Sequence, residues 1–386
     1  MLPLAGVKVV EFCQVAAGPF CGSLLADLGA DVVKIEPPGG DTLRQWPPHR
    51  DGFSENFASL NREKRSAVLD LKNPGHALAA RELALSADVV IENNRPGAMD
   101  RLGLGAAALR AEKPTLIYCS ISAFGQTGPR AGEGGFDVTV QAMSGIMSVT
   151  GEEGGAPVKC GVPVSDFSAG LYAAFSIAAV LRRVQQGGEG AHIDVSMLGA
   201  SLGIAALQTS EYFGTGRNPR KLGSAHPRNA PYRAFRASDG HFVIAAGNDR
   251  LWASVVEVVA LPELGSDPRF ATTALRAANQ EALRVVLEER FAARSVDHWL
   301  AAFEAAGVPH GRINGYAEIL DDPQVHHMDW LTEIALPGGG TTRTLRFPVR
   351  FDGKTPPIRR APPALGADSE AVLSLPVRTS RVRPAP

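Results

Sequence analysis

The stretch GVPVSDFSAGLYAAF, residues 161–175, holds one charged side chain, Asp166. Small residues crowd around it (Ser165, Ser168, Ala169 and Gly170), and no further charge follows until Arg182. A carboxylate in this setting suits two roles. It can cap the helix that FSAGLYAAFSIAAVLRRV predicts, accepting hydrogen bonds from the free N–H groups of the first turn. It can also serve as a nucleophile, because a helix start keeps it ionised and small neighbours leave room for a substrate. The stretch alone is compatible with both.

Basic residues form a second group. NREKRS (61–66) carries Arg62, Lys64 and Arg65, and ENNRPGAMDRLG (92–103) carries Asn93, Asn94, Arg95 and Arg101. The latter opens at the end of an expected parallel strand, and ligands of open α/β sheets bind beyond the carboxyl ends of the strands. Asn93, Asn94 and Arg95 there suit a phosphorylated ligand, with a solvated charged loop as the plainer alternative.

Other chemistry finds no support. GLGAAA (103–108) imitates a dinucleotide fingerprint but does not sit directly between a strand and a helix. The chain has no P-loop and no G-x-S-x-G elbow. Its nine histidines are scattered, and no H-E-x-x-H or Cys/His cluster points to a metal.

The elements that must position these residues alternate strand and helix over the first 200 residues. VKVVEF (7–12), DVVKIE (31–36), AVLDL (67–71), DVVIEN (88–93), TLIYCSISAF (115–124) and HIDVSM (192–197) read as strands. Helices fall between them, including GPFCGSLLADLG with Pro19 near its start and Gly29 at its end. The pattern predicts an α/β fold: a large domain with a parallel sheet flanked by helices, plus a smaller α+β domain. GTGRNPRKLGSAHPRNAP, at 214–231, reads as a linker. After it YRAFRASDGHFVIAAG predicts a hairpin turning at Asp239–Gly240, followed by amphipathic helices to about residue 312. Strand and turn signals return at 335–351.

Composition narrows the class. Of 386 residues 45% are hydrophobic, enough for a large core. Net charge is −1, with 39 basic and 40 acidic residues, which argues against nucleic-acid binding. Four cysteines without a CxxC pair suit reduced thiols in the cytoplasm. The N-terminus does not read as a signal peptide. The apolar helix at 167–181 falls short of the ~20 residues of a membrane span, so no membrane partner is expected. The Pro- and Arg-rich tail, 376–386, is expected to be disordered.

Several segments together resemble the class III CoA-transferases, the family of formyl-CoA:oxalate and carnitine CoA-transferases. They are GVKVVEFCQVAAGPFCGSLLADLGADVVKIEPPGGD, NREKRSAVLDLKNP, VIENNRPGAMDRLGLG, SISAFGQTGP, GFDVTVQAMSG and AGVPHGRINGYAEILDDPQV, in family order from about residue 4 to about 370. The resemblance implies a large CoA-binding domain built from 1–213 and a returning segment, 326–375, with a small domain at 232–325. It also implies a homodimer of two interlocked rings. The family's nucleophile, in the segment VSDFSAG, falls on Asp166. CoA contacts carry over to Gln14, Val15 and Ala16 near the first helix, and to Leu69, Asp70, Leu71, Lys72, Asn93, Asn94, Arg95 and Arg101. Gly135, Phe136 and Asp137 match the family position before the helix at 136–147. Formyl-CoA:oxalate enzymes have His and Gln where this chain has Gln14 and Ala16. Their glycine-rich loop has no counterpart here, AAGNDRLW (245–252) lying in that region.

The implied activity moves CoA from an acyl-CoA donor to a carboxylic acid acceptor through an aspartyl anhydride and an aspartyl thioester. Succinyl-CoA or another short dicarboxylate fits if Arg228 and Arg233 pair with a second carboxylate. Coenzyme A enters as substrate, and no permanently bound cofactor, ATP or metal is expected. The nearest rival is an α-methylacyl-CoA racemase, which uses a His in a segment like GHD; Phe136 stands there instead and cannot move a proton. A non-catalytic CoA-binding protein is the rival from another class, and an ATP-dependent ligase lacks its phosphate loop.

Overall fold

The computed structural model describes residues 1–374; the tail at 376–386 lies outside them. The described chain divides into two units. The first comprises Met1–Ile146, Lys159–Gly216 and the chain from Pro323 onward, and the second comprises Met147–Val158 and Arg217–Asp322.

The first unit is built on six parallel strands: β1 (Lys8–Phe12), β2 (Asp31–Glu36), β3 (Lys64–Val68), β4 (Val89–Glu92), β5 (Ile117–Ser122) and β6 (His192–Ser196). Their order is β3-β2-β1-β4-β5-β6. Helices cover both faces, which is why inner strands such as β4 (VVIE) are apolar runs. On one face α1 (Ala17–Asp27) and α5 (Val164–Gln185) bury Cys21, Leu25, Ala169, Ala173 and Ile177 against Ile91 and Cys119. On the other, α2 (Pro74–Ser86) and α3 (Ala106–Glu112) bury Leu83, Leu85 and Leu109 against Val33, Val90 and Tyr118. Gly29 ends α1 as expected: it takes φ +109°, and the Ala30 N–H returns 3.0 Å to the Leu25 carbonyl.

Two expectations need correction. The third strand runs over Lys64–Val68, not 67–71. Its polar residues are buried by specific partners, so apolar content alone misplaced it. The apolar helix has 22 residues, not the shorter span expected. Among the described residues it is the helix long and apolar enough to cross a membrane by length and composition. Its inner face packs on α1, and Ala169, Gly170, Ala173, Ile177 and Leu181 are buried.

The segment after residue 360 returns to the outer strand. The Ser66 N–H donates to Asp368 Oδ2 (3.0 Å), the Val68 N–H to Ser369 Oγ (2.8 Å), and the Asp368 N–H to the Ser66 carbonyl (2.8 Å). The open edge of β3 is thereby covered.

In the second unit β7 (Tyr232–Arg236) and β8 (His241–Ala245) form the expected hairpin, closed by the Ala237 N–H on the Gly240 carbonyl. Helices α8 (Asp249–Val259), α9 (Gln280–Phe291) and α10 (Val296–Ala305) follow, and β9 (His310–Arg312) pairs with β8. Phe235, Phe242, Phe291, Trp299 and Phe303 form its aromatic centre.

Candidate active site

Asp166 is the third residue of α5, partly buried. It does not cap the helix. Pro163 is the N-cap, and the Ser165 N–H donates to Asp137 Oδ1 at 2.9 Å. Asp137, the first residue of α4 (Asp137–Met143), therefore does the capping. Its other oxygen accepts from Gln141 Nε2 (2.6 Å), whose Oε1 takes the Cys160 N–H (2.8 Å). Ser165 Oγ accepts from Ser201 Oγ (2.8 Å) on α6 (Met197–Ile204).

Among the described residues nothing donates a hydrogen bond to the Asp166 carboxylate. Burial, and next the charge of Asp137, push its pKa up to about 7. Desolvation and a like charge thus work against the helix field that would keep it ionised. Strong donors would stabilise a carboxylate and blunt it as a nucleophile; a carboxylate without them is the more reactive one.

Tight backbone contact brings α1 beside this helix. A Cβ on Gly170 would lie 2.8 Å from the Ala17 carbonyl oxygen, so only glycine fits. The Phe20 and Phe167 rings meet at 4.6 Å. Asp166 precedes Gly170 by one helical turn on the same face.

The loop before α1 holds Gln14, Val15 and Ala16, at the crevice between β1 and β4 where the strand order reverses. The Gln14 N–H donates to Asn93 Oδ1 (2.9 Å), and Asn93 Nδ2 donates back to the Gln14 carbonyl (2.8 Å). Asn94 Nδ2 donates to the Phe12 carbonyl (3.0 Å). The two asparagines after β4 thus fasten the loop after β1. A Cβ on Gly135 would come within 2.7 Å of Ala123 Cβ. Phe136 is 76% exposed.

The basic residues sort into two kinds. Lys64 is buried on Glu11 (2.8 Å), Arg62 reaches Asp27 (2.6 Å), and Arg65 reaches Asp31 (2.7 Å). These are neither a solvated loop nor ligand residues; they are structural ion pairs. Arg95 and Arg101 are exposed and form no ion pair among the described residues. Arg95 lines a cavity of about 140 Å³ together with Glu92, Tyr118, Gln126 and His192. Leu69 is buried, Leu71 packs on the core, and Asp70 accepts the Lys72 N–H (3.0 Å) in a tight turn that leaves Lys72 exposed. Among the described residues no hydrogen bond or ion pair joins residues 69–72 to Asp166. In the second unit Arg233 lies 3.4 Å from Glu281 and so already has a carboxylate beside it.

Sequence reasoning missed Glu11, Lys34 and Asp41, all fully buried. Lys34 Nζ contacts Glu11 Oε1 (3.1 Å), Asp41 Oδ2 (2.9 Å) and the Cys13 carbonyl (2.6 Å). The signal was available. A lone Glu inside VKVVEF and a lone Lys inside DVVKIE, in a sheet buried on both faces, must find each other.

Residues 4–369 match the sequence profile described as CoA-transferase family III. The chain is 38% identical over 380 residues to the succinate–glutarate CoA-transferase of Agrobacterium fabrum, covering 96% of this chain and 95% of that protein. It is 40% identical over 363 residues to the acetyl-CoA:oxalate CoA-transferase of Acetobacter aceti, covering 93% and 91%. The crystal structure of a CaiB/BaiF family protein from Brucella suis superposes with a TM-score of 0.86 at 40% identity, covering 96% of this chain and 98% of that one.

Proposed function

The chain belongs to CoA-transferase family III, and from that premise we propose that Asp166 is the nucleophile that carries the acyl group and then CoA. The enzyme moves CoA from an acyl-CoA donor to a carboxylic acid. The observation that carries the Asp166 reading is its setting: a carboxylate without a hydrogen-bond donor, pushed up to about 7, at a helix start lined by small residues.

The chemistry follows from the residue type. The Asp166 carboxylate attacks the thioester carbonyl, and CoA leaves as thiolate, giving a mixed anhydride. The thiolate attacks the aspartyl carbonyl and expels the donor acid, leaving an aspartyl–CoA thioester. The acceptor carboxylate attacks that carbonyl and releases the thiolate again, forming a second anhydride. The thiolate then attacks the acceptor's own carbonyl and frees Asp166. Each step exchanges one acyl bond for another, so the thioester's energy passes from acid to acid. Exposed Arg95, Arg101 and Lys72 suit the phosphates of CoA, and residues 14–16 and 135–137 suit its thioester end.

Succinyl-CoA is the proposed donor and a five-carbon dicarboxylic acid the proposed acceptor. The Agrobacterium enzyme's name and near full-length overlap support this. Gln14 and Ala16, departing from the oxalate pattern, weigh against an oxalate site. Purified enzyme with succinyl-CoA should transfer CoA to glutarate with a kcat/KM at least tenfold above that for oxalate; the reverse preference overturns the substrate assignment. The assembly proposed is a homodimer of interlocked rings. Exposed apolar residues on α5 and on α7 (Ala206–Thr215), among them Leu171, Phe175, Leu207 and Phe213, support a buried partner surface. Four unpaired cysteines fit a reducing compartment such as the cytoplasm.

A further inference from the structure

Val15 adopts φ +66°. For a β-branched residue this left-handed conformation is strained, and it persists only where surroundings impose it. Here the surroundings are identifiable. The Val15 N–H faces the Asp41 carboxylate, at 3.2 Å from Oδ1 and 3.3 Å from Oδ2. Asp41 is fully buried and cannot swing away. Its Oδ1 also accepts the Leu43 N–H (2.9 Å), and its backbone N–H is held by Glu36 Oε2 (2.9 Å). Lys34, equally buried, bonds both Asp41 and the Cys13 carbonyl. Burial alone would lower the Lys34 pKa, but Glu11 and Asp41 outweigh it and raise it, so Lys34 stays charged. On the far side Asn93 holds both backbone groups of Gln14. Lys34, Asp41 and Asn93 therefore fix residues 13–15, and the chain then enters α1, whose first turn touches the Asp166 helix at Gly170.

We propose that Asp41 is a positioning residue for CoA transfer: by holding the Val15 N–H it keeps Val15 left-handed and sets the course of the loop into α1 beside Asp166. The inference rests on the nucleophile reading above. Without the Asp41 carboxylate, Val15 relaxes toward negative φ, and the loop shifts. A glycine at position 15 has no such tendency, because positive φ costs it nothing.

That difference supplies the test. Four proteins are compared, wild type, Asp41→Asn, Val15→Gly and the double variant, by the rate of acyl-adduct formation at saturating succinyl-CoA and by kcat for complete exchange. Asp41→Asn should slow both by about tenfold when Val15 is present, the size expected from the strain of one left-handed residue. In the Val15→Gly background the same substitution should slow them less than about threefold, because no strain is left to release. Equal slowing in both backgrounds, or none in either, would overturn the proposal, since a merely structural carboxylate is indifferent to residue 15. Where Asp41→Asn does not fold, Asp41→Glu keeps the charge for Lys34 while displacing the acceptor from the Val15 N–H, and the same coupling to residue 15 is expected. Complete exchange without a wild-type adduct at Asp166 would sink the nucleophile reading. The kcat comparison across the four proteins would then still decide the role of Asp41.

Discussion

At the scale of the residue, Asp166 and Asp137 divide two tasks that the sequence could have given to one. Asp137 satisfies the start of α5, and Asp166, one residue beyond the capped N–H, is left without donors. The raised pKa has consequences of opposite sign for activity and stability. If Asp166 is the nucleophile proposed, acyl transfer needs its ionised form, so the rate should climb about tenfold per pH unit up to about 7 and then level. The folded chain binds the proton more tightly than the unfolded chain, whose carboxylate titrates near 3.8. Ionising Asp166 therefore costs stability progressively between those two values, and the cost is complete above the higher one. Asp166→Asn removes the cost. It should abolish transfer, melt a few degrees above wild type at pH 8, and melt with wild type near pH 4. Thermal scans at both pH values check this; a variant melting below wild type at pH 8 would show Asp166 to be structural. Asp166 was legible in the sequence as a lone charge among small residues. Asp137 as the cap was not, since the two are far apart in the chain and meet only through the packing of α4 on α5.

At the scale of the element, the contact between α1 and α5 sets the distance from the first loop to Asp166. Gly170 makes it possible. On an isolated helix Gly→Ala gains about 1 kcal/mol. Here the added Cβ meets a backbone oxygen at 2.8 Å, which cannot move without shifting α1, and overpacking of this kind costs about 1–3 kcal/mol. Gly170→Ala should therefore lower the melting temperature and slow adduct formation together; a stabilised variant of normal rate would contradict the packing. Strands such as Asp31–Glu36 were readable because burial on both faces demands apolar runs. The strand at Lys64–Val68 was misplaced because its lysine and serine look like a loop. They are buried only because Glu36 on the adjacent β2 and Glu11 one strand further, on β1, wait for them. Partnered burial of charge is a tertiary property, and local pattern does not carry it. The same holds for the excursion of 147–158 into the second unit: GEEGGAP marks a loop there, but not which unit it joins.

At the scale of the whole molecule, α5 and α7 carry exposed apolar side chains, with Phe175 74% and Phe213 81% exposed, and these support the proposed dimer. Interlocked rings make a stronger claim than a dimer. Dissociation should then require unfolding, so sedimentation during urea titration should find dimers up to the unfolding transition and no folded monomer on dilution. A folded monomer at low concentration would contradict interlocking. The central claim, that Asp166 carries the transferred group, meets its most direct test in mass spectrometry of the protein after incubation with succinyl-CoA and hydroxylamine. The account predicts a hydroxamate on the peptide containing Asp166, present in wild type and absent from Asp166→Ala. Complete CoA exchange with an unmodified Asp166, or with the label on another residue, would contradict it.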